Sequence, residues 1–135
     1  MKMILKSLKL KNIRSYLNQE INFNQGSLLL NGDIGSGKTT ILLAIEFALF
    51  GILRGLLSGS SLLRNGKKQG TVDLIFKLEN SEIHIQRNLK RIKDKVVQSS
   101  GFIAINGIKT DLTAIELKDK VLSLLGYPKS LLTKN

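Results

Sequence analysis

Cysteine and tryptophan are absent from these 135 residues, which hold one proline and one histidine. Without cysteine there is no disulfide framework, no thiolate zinc site and no thiol nucleophile. That absence is compatible with a reducing cytoplasm. A single histidine, His84, cannot build a histidine metal cluster. It falls in Glu82-Ile83-His84-Ile85 and reads as an ordinary strand residue. Long hydrophobic runs are also missing. The most apolar stretch, residues 41–53, is too short to cross a bilayer and carries Glu46 in its middle. The start, Met1-Lys2-Met3-Ile4-Leu5-Lys6, lacks the long apolar region of a signal peptide. No membrane association is expected. Acidic residues are few, 10 against 21 Lys and Arg, for a net charge of +11. Such an excess suits a polyanionic partner such as nucleic acid, helps bind nucleotide, and equally fits a solvated lysine-rich surface. What is present is a 42% hydrophobic content over the length of about one small domain.

Gly32-Asp33-Ile34-Gly35-Ser36-Gly37-Lys38-Thr39 fits the phosphate-cradling pattern G-x-x-x-x-G-K-[ST]. The flanks agree with it. Ser27-Leu28-Leu29-Leu30-Asn31 is a short strand-like run before the loop, and residues 40–50 are apolar and long enough for a helix after it. Glycines let backbone amides wrap a phosphate, and the following helix points its positive dipole end at it. Asp33, Gly35, Ser36, Gly37, Lys38, Thr39 and Thr40 form the expected nucleotide-contacting set. Lys38, the catalytic lysine, reaches the β- and γ-phosphates, and the Thr39 hydroxyl is the candidate Mg²⁺ ligand.

The rest of the chain alternates in short runs. Residues 3–11 read as a strand, 12–18 as a polar connection, 20–23 as a second strand, and the run before the glycine loop as a third. The helix is expected to stop near Gly51, followed by a loop or short-helix region to Gly70. Residues 71–78 and 82–89 read as strands. Residues 102–105 and 108–109 flank Asn106-Gly107 as a type I′ hairpin. Asp111 or Thr113 is expected to cap a last helix with Leu112, Ile115, Leu117, Val121, Leu122, Leu124 and Leu125 on its apolar face, ended by Gly126 and Pro128.

A P-loop grips phosphate but does not by itself hydrolyse a nucleotide. Phosphoryl transfer also needs a second Mg²⁺-holding acid and a group that orients the attacking water. No apolar strand after Thr39 ends in such an acid. Asp73 follows only Val72, Asp111 follows Lys109-Thr110, and Glu46 on the helix would point away from the phosphates. The chain therefore carries half of a catalytic site.

Lys11-Asn12-Ile13-Arg14-Ser15-Tyr16, Ile21-Asn22-Phe23, the P-loop, Ala44-Ile45-Glu46-Phe47-Ala48-Leu49-Phe50-Gly51, and Leu62-Leu63-Arg64-Asn65-Gly66 before the 71–78 strand form one series. With the closing helix and Gly126-Tyr127, it resembles the N-terminal head segment of the Rad-fifty/SbcC ATPases, SMC-like members of the ABC-type class. The resemblance covers essentially the whole chain. It implies an α/β (α+β) fold: the P-loop NTPase N-lobe of an ABC/SMC-type head, with mixed or antiparallel strands packed with the P-loop helix. Residues 1–135 then form a single partial domain, whether as a fragment or as the product of a split gene. The resemblance implies nucleotide contacts from Arg14 and Ser15, and an adenine-bordering role for Leu62, Leu63 and Arg64. Ile34 departs from the family, which often has Asn there, and one polar contact near the γ-phosphate is lost. The implied cofactors are ATP and Mg²⁺. The implied partners are a C-terminal lobe, a second identical head, an Mre-eleven-type nuclease and DNA ends, in the cytoplasm or on a nucleoid. The glutamine loop, signature motif, Walker B acid and coiled coil with its Cys-x-x-Cys hook all lie outside these residues. Lys90, Arg91 and Lys93, in a dense basic run over residues 87–95, are candidate DNA contacts, with a solvated strand end as the alternative. Other SMC-like repair ATPases, a small P-loop kinase and a non-catalytic phosphate- or RNA-binding module remain open.

Overall fold

A computed structural model describes residues 3–23, 36–52 and 62–126. Among these residues, six strands and two helices follow the order β1 (Met3–Ile13), β2 (Tyr16–Asn22), α1 (Ser36–Phe50), β3 (Gln69–Leu78), β4 (Ser81–Ile92), β5 (Lys95–Ile105), β6 (Ile108–Leu112) and α2 (Ala114–Leu125). The strands form one sheet in the order β2-β1-β3-β4-β5-β6. Every pairing among the described strands is antiparallel. The expected strand at residues 27–31 lies outside the described residues.

Alternation explains which face is buried. Val72, Leu74, Phe76 and Leu78 of β3, and Ile83, Ile85 and Leu89 of β4, point inward, with Leu8 and Leu10 beside them on β1. Lys6 is an extra residue in β1: Leu5 pairs with Phe76 while Ser7 already pairs with Ile75. This bulge resets the alternation, so Leu5 and Leu8 both face the core. A second irregularity separates Gln86 from Asn88 on β4, opposite Gly101 on β5. A Cβ on Gly101 would lie 2.0 Å from the Gln86 carbonyl oxygen, so this crossing admits no side chain.

Helix α1 is apolar nearly all round, as a helix inside a core should be. Ile41, Ala44, Ile45, Phe47, Ala48 and Leu49 are all buried. Gly51, at φ 74°, ends it, and its N–H bonds the Phe47 carbonyl at 2.7 Å. Helix α2 starts at a capping box. The Thr113 hydroxyl accepts the Glu116 N–H at 3.2 Å, and the Glu116 carboxylate accepts the Thr113 N–H at 2.9 Å. Leu117, Val121 and Leu122 bury its inner face, and Gly126 closes it at φ 81°. No helix among the described residues is long and apolar enough to cross a membrane.

Several expectations need correction. Residues 12–18 are not a polar connection. β1 runs to Ile13 and β2 begins at Tyr16, leaving only Arg14-Ser15 as the turn. β5 begins at Lys95: its first half, with the polar residues Gln98 and Ser99, pairs along β4 without an apolar pattern to reveal it. Ile115 is 73% exposed rather than on the inner face of α2, and Leu112 ends β6. Thr113, not Asp111, caps the helix. The hairpin stands as expected, with Asn106 and Gly107 both at positive φ, 50° and 87°.

Candidate nucleotide site

Helix α1 begins at Ser36, inside the glycine-rich motif, so its first turn carries Gly37, Lys38 and Thr39. The N–H groups of that turn lack intrahelical acceptors, and no acidic residue stands among them. Such an end favours an anion. Gly32, Asp33, Ile34 and Gly35, and the side chains of Ser36, Lys38 and Thr39, lie outside the described residues. Thr40 is buried, 2% exposed, on the core side of the helix.

The other expected nucleotide residues come together although 50 positions separate them in the chain. Arg14 donates its N–H to the Leu62 carbonyl at 2.8 Å, and Arg64 donates its N–H to the Asn12 carbonyl at 2.9 Å. The Arg64 guanidinium reaches the Arg14 carbonyl at 3.0 Å. Ile13 and Leu63 form an antiparallel bridge between these bonds. Asn12 and Arg14 hold φ values of 56° and 48°, a left-handed conformation that costs energy for residues with a Cβ. The bonds to residues 62–64 hold the backbone there, and strain retained in this way accompanies functional turns. Arg14 and Ser15 are exposed at the tip. Leu62 and Leu63 are core residues, 0% and 2% exposed, so only Arg64 of that segment, half-buried, presents a side chain outward.

Lys90, Arg91 and Lys93 lie where β4 turns into β5. Lys90 and Lys93 are exposed, and Lys93 sits in the turn at φ 57°. Arg91 is half-buried. Its Nε bonds the Lys67 carbonyl at 3.0 Å, and its N–H bonds the Lys68 carbonyl at 2.8 Å. The strand register brings further cations to this end of the sheet. Gln69 pairs with Lys90, and Lys11 pairs with Thr71, so Lys11, Arg14, Arg64, Lys67 and Lys68 join the β4–β5 turn. Asp94 is the acid of that turn. The linear run alone shows half of this basic end.

Arg87 does not belong to it. It occupies an inward position of β4 between Ile85 and Leu89 and is 2% exposed. Its Nε bonds the Ala48 carbonyl at 2.9 Å and its Nη2 the Leu49 carbonyl at 3.3 Å, both in the last turn of α1. Its Nη1 bonds the Ala114 carbonyl at the start of α2 at 3.2 Å. Desolvation lowers the guanidinium from its ordinary value to about 10, so it stays charged at neutral pH. The even spacing of Ile83, Ile85, Arg87 and Leu89 was the signal for an inward arginine.

On the outer face, His84 Nε2 and Gln86 Nε2 meet Asp73 Oδ1 at 2.8 and 3.1 Å. The Thr71 hydroxyl bonds Asn88 Oδ1 at 2.8 Å. His84 is thus a strand residue with a partner. Asp73 is engaged in this ladder within β3, not at a strand end.

A helix that starts within a P-loop sequence and packs under an antiparallel sheet defines a lobe of a P-loop NTPase. A family model described as an AAA domain matches residues 7–134. The chain belongs to this AAA domain family. It is 30% identical, over 95% of its length, to the DNA double-strand break repair Rad50 ATPase of Methanococcus maripaludis, and covers 12% of that protein. It is 40% identical to the SbcC component of the SbcCD nuclease of Staphylococcus saprophyticus, over 64% of this chain and 9% of that one. The resemblance to the Rad-fifty/SbcC ATPases is therefore borne out. This chain spans about a tenth of the length of these relatives. A solved structure of the recombination mediator protein RecF, RecF-ATPrS, superposes with a TM-score of 0.58 at 21% identity, over 85% of this chain and 29% of that chain. The fold is thus shared with RecF.

Proposed function

We propose that this chain is the ATP-binding N-terminal lobe of a DNA double-strand-break repair ATPase head. The observation that carries the reading is the start of α1 at Ser36, inside a P-loop sequence, in a chain of the AAA domain family. The amides of the first turn and the Lys38 ammonium hold the β- and γ-phosphates. Among the described residues there is no group of three or more His, Cys, Asp or Glu that could hold a metal. That donor set fits Mg²⁺ carried by nucleotide phosphates and the Thr39 hydroxyl better than a protein cage. Bound Mg²⁺ would neutralise charge developing on the phosphates. Arg14 and Ser15 sit on a turn whose backbone is held from residues 62–64, which suits them to meet the nucleotide from a fixed place.

Hydrolysis to ADP and phosphate needs an acid and a water-orienting group from a C-terminal lobe and a second head, as in the heads of the Rad-fifty/SbcC family. An Mre-eleven-type nuclease and DNA ends complete the assembly. The basic end of the sheet is the DNA-facing surface in this reading, through Lys90 and Lys93 and their neighbours Lys67 and Lys68. Lys90→Glu with Lys93→Glu is expected to weaken DNA binding and flatten its salt dependence. Arg91 is left intact because it holds the Lys67 carbonyl. Unchanged affinity in a filter-binding titration across salt would exclude this surface.

Calorimetry of the full chain with ATP·Mg tests the central claim. Lys38→Ala should weaken binding about 100-fold, by removing a charge paired with phosphate. Wild-type affinity in that variant would overturn the nucleotide site. Turnover that appears only on adding the C-terminal lobe supports the head, whereas phosphorylation of a small acceptor by this chain alone supports a kinase.

A further inference from the structure

An α-helix concentrates partial negative charge at its C-terminal carbonyls, and a cation nearby relieves it. Helix α1 has no basic residue in its last turn. The cation comes instead from β4. Arg87 takes the Ala48 and Leu49 carbonyls with two of its nitrogens and the Ala114 carbonyl with the third. Gln98, turned inward by the β5 irregularity, accepts the Ile52 N–H at 3.2 Å just beyond the helix. The fit is close. A Cβ on Gly51 would stand 2.6 Å from Gln98 Oε1 and 3.1 Å from Arg87 Nη1. A buried guanidinium is costly, and an aliphatic side chain would fill an inward strand position more cheaply. Apolar packing therefore gives no reason for an arginine here, while its directional fork does.

We infer that Arg87 is a positioning residue for the phosphate site: it locks the C-terminal end of α1 to β4 and to the start of α2, and so fixes where the first turn of α1 presents its amides. A helix is stiff along its axis, so a tilt at Leu49 displaces the amides at residues 36–40. The inference rests on the ATP reading above and deepens it.

The test uses the full chain, with affinity for a fluorescent ATP analogue measured well below the unfolding temperature. Nucleotide-free hydrogen exchange at the amides of residues 36–40 is measured alongside. Arg87→Met should still unfold cooperatively, bind the analogue about tenfold more weakly, and exchange faster at those amides. Arg87→Lys, whose ammonium reaches some of the three carbonyls, should recover part of both. A folded Arg87→Met with wild-type affinity and wild-type exchange overturns the inference, and so does an equal loss in Met and Lys. Should Arg87→Met not fold, Arg87→Lys decides. Weaker binding with faster exchange supports the role, and wild-type values with only a lowered Tm overturn it. Failure of the ATP reading looks different: wild type itself does not bind the analogue, and the exchange rates then judge the positioning role alone.

Discussion

The two ends of α1 solve opposite problems. At Ser36 the helix leaves amides without intrahelical acceptors, and no side chain of its own first turn carries a negative charge to meet them. At Phe50 every device available is used. Gly51 turns left-handed, Arg87 takes two carbonyls from the sheet, and Gln98 receives the next amide. One end is closed by the protein's own groups, and the other is the end that the proposed function assigns to the nucleotide. In the proposed reading, the bonds at the C-terminal end hold steady the amides at the N-terminal end.

That contrast can be broken from either side. Lys38→Ala should act on the open end alone, costing about 100-fold in ATP affinity while leaving the nucleotide-free Tm in place. A large fall in Tm would mean that the two ends are not separable. Gly51→Ala attacks the finished end. Its φ of 74° and the crowding by Gln98 and Arg87 should cost about 1–2 kcal/mol in urea unfolding. Thr113→Ala removes the cap of α2, whose first carbonyl Arg87 holds, and should cost about 1 kcal/mol with ATP affinity almost unchanged. The smallest expected effect is with pH. A base whose folded pKa is depressed weakens the fold while it is charged, and this penalty fades only as pH climbs above about 10 toward the ordinary arginine value. Between about pH 6 and 9 the stability difference between wild type and Arg87→Met, which has no titrating group at that position, should therefore stay flat. A slope in that window would assign titration to another group near Arg87.

Much of this fold was legible because short-range rules decide it. Strict alternation at residues 71–78, the Asn106-Gly107 turn and the Gly51 and Gly126 helix ends all follow from local stereochemistry. The P-loop was legible for the same reason, as its chemistry sits in eight consecutive residues. What escaped depends on pairing at a distance. Gln98 and Ser99 lie in β5 because Leu89 and Asn88 pair with them, not because of their own preference. The Arg14–Leu62–Arg64 grouping is built from backbone bonds that no composition reveals. Arg87 was misleading in a specific way. It opens a run of cations, and charge density outweighed the alternation that placed it inside.

The bridge between Ile13 and Leu63 has a further meaning for how the lobe is put together. Strands β1, β3, β4, β5 and β6 are successive neighbours in the sheet, a plain meander. Of the described residues between Ile13 and Leu63, β2 pairs along the outer edge of β1 and α1 packs into the core, and the bridge marks where the chain returns to the end of β1. The bridge thus acts as a clasp: it brings the chain back to the end of β1, beside which β3 then pairs.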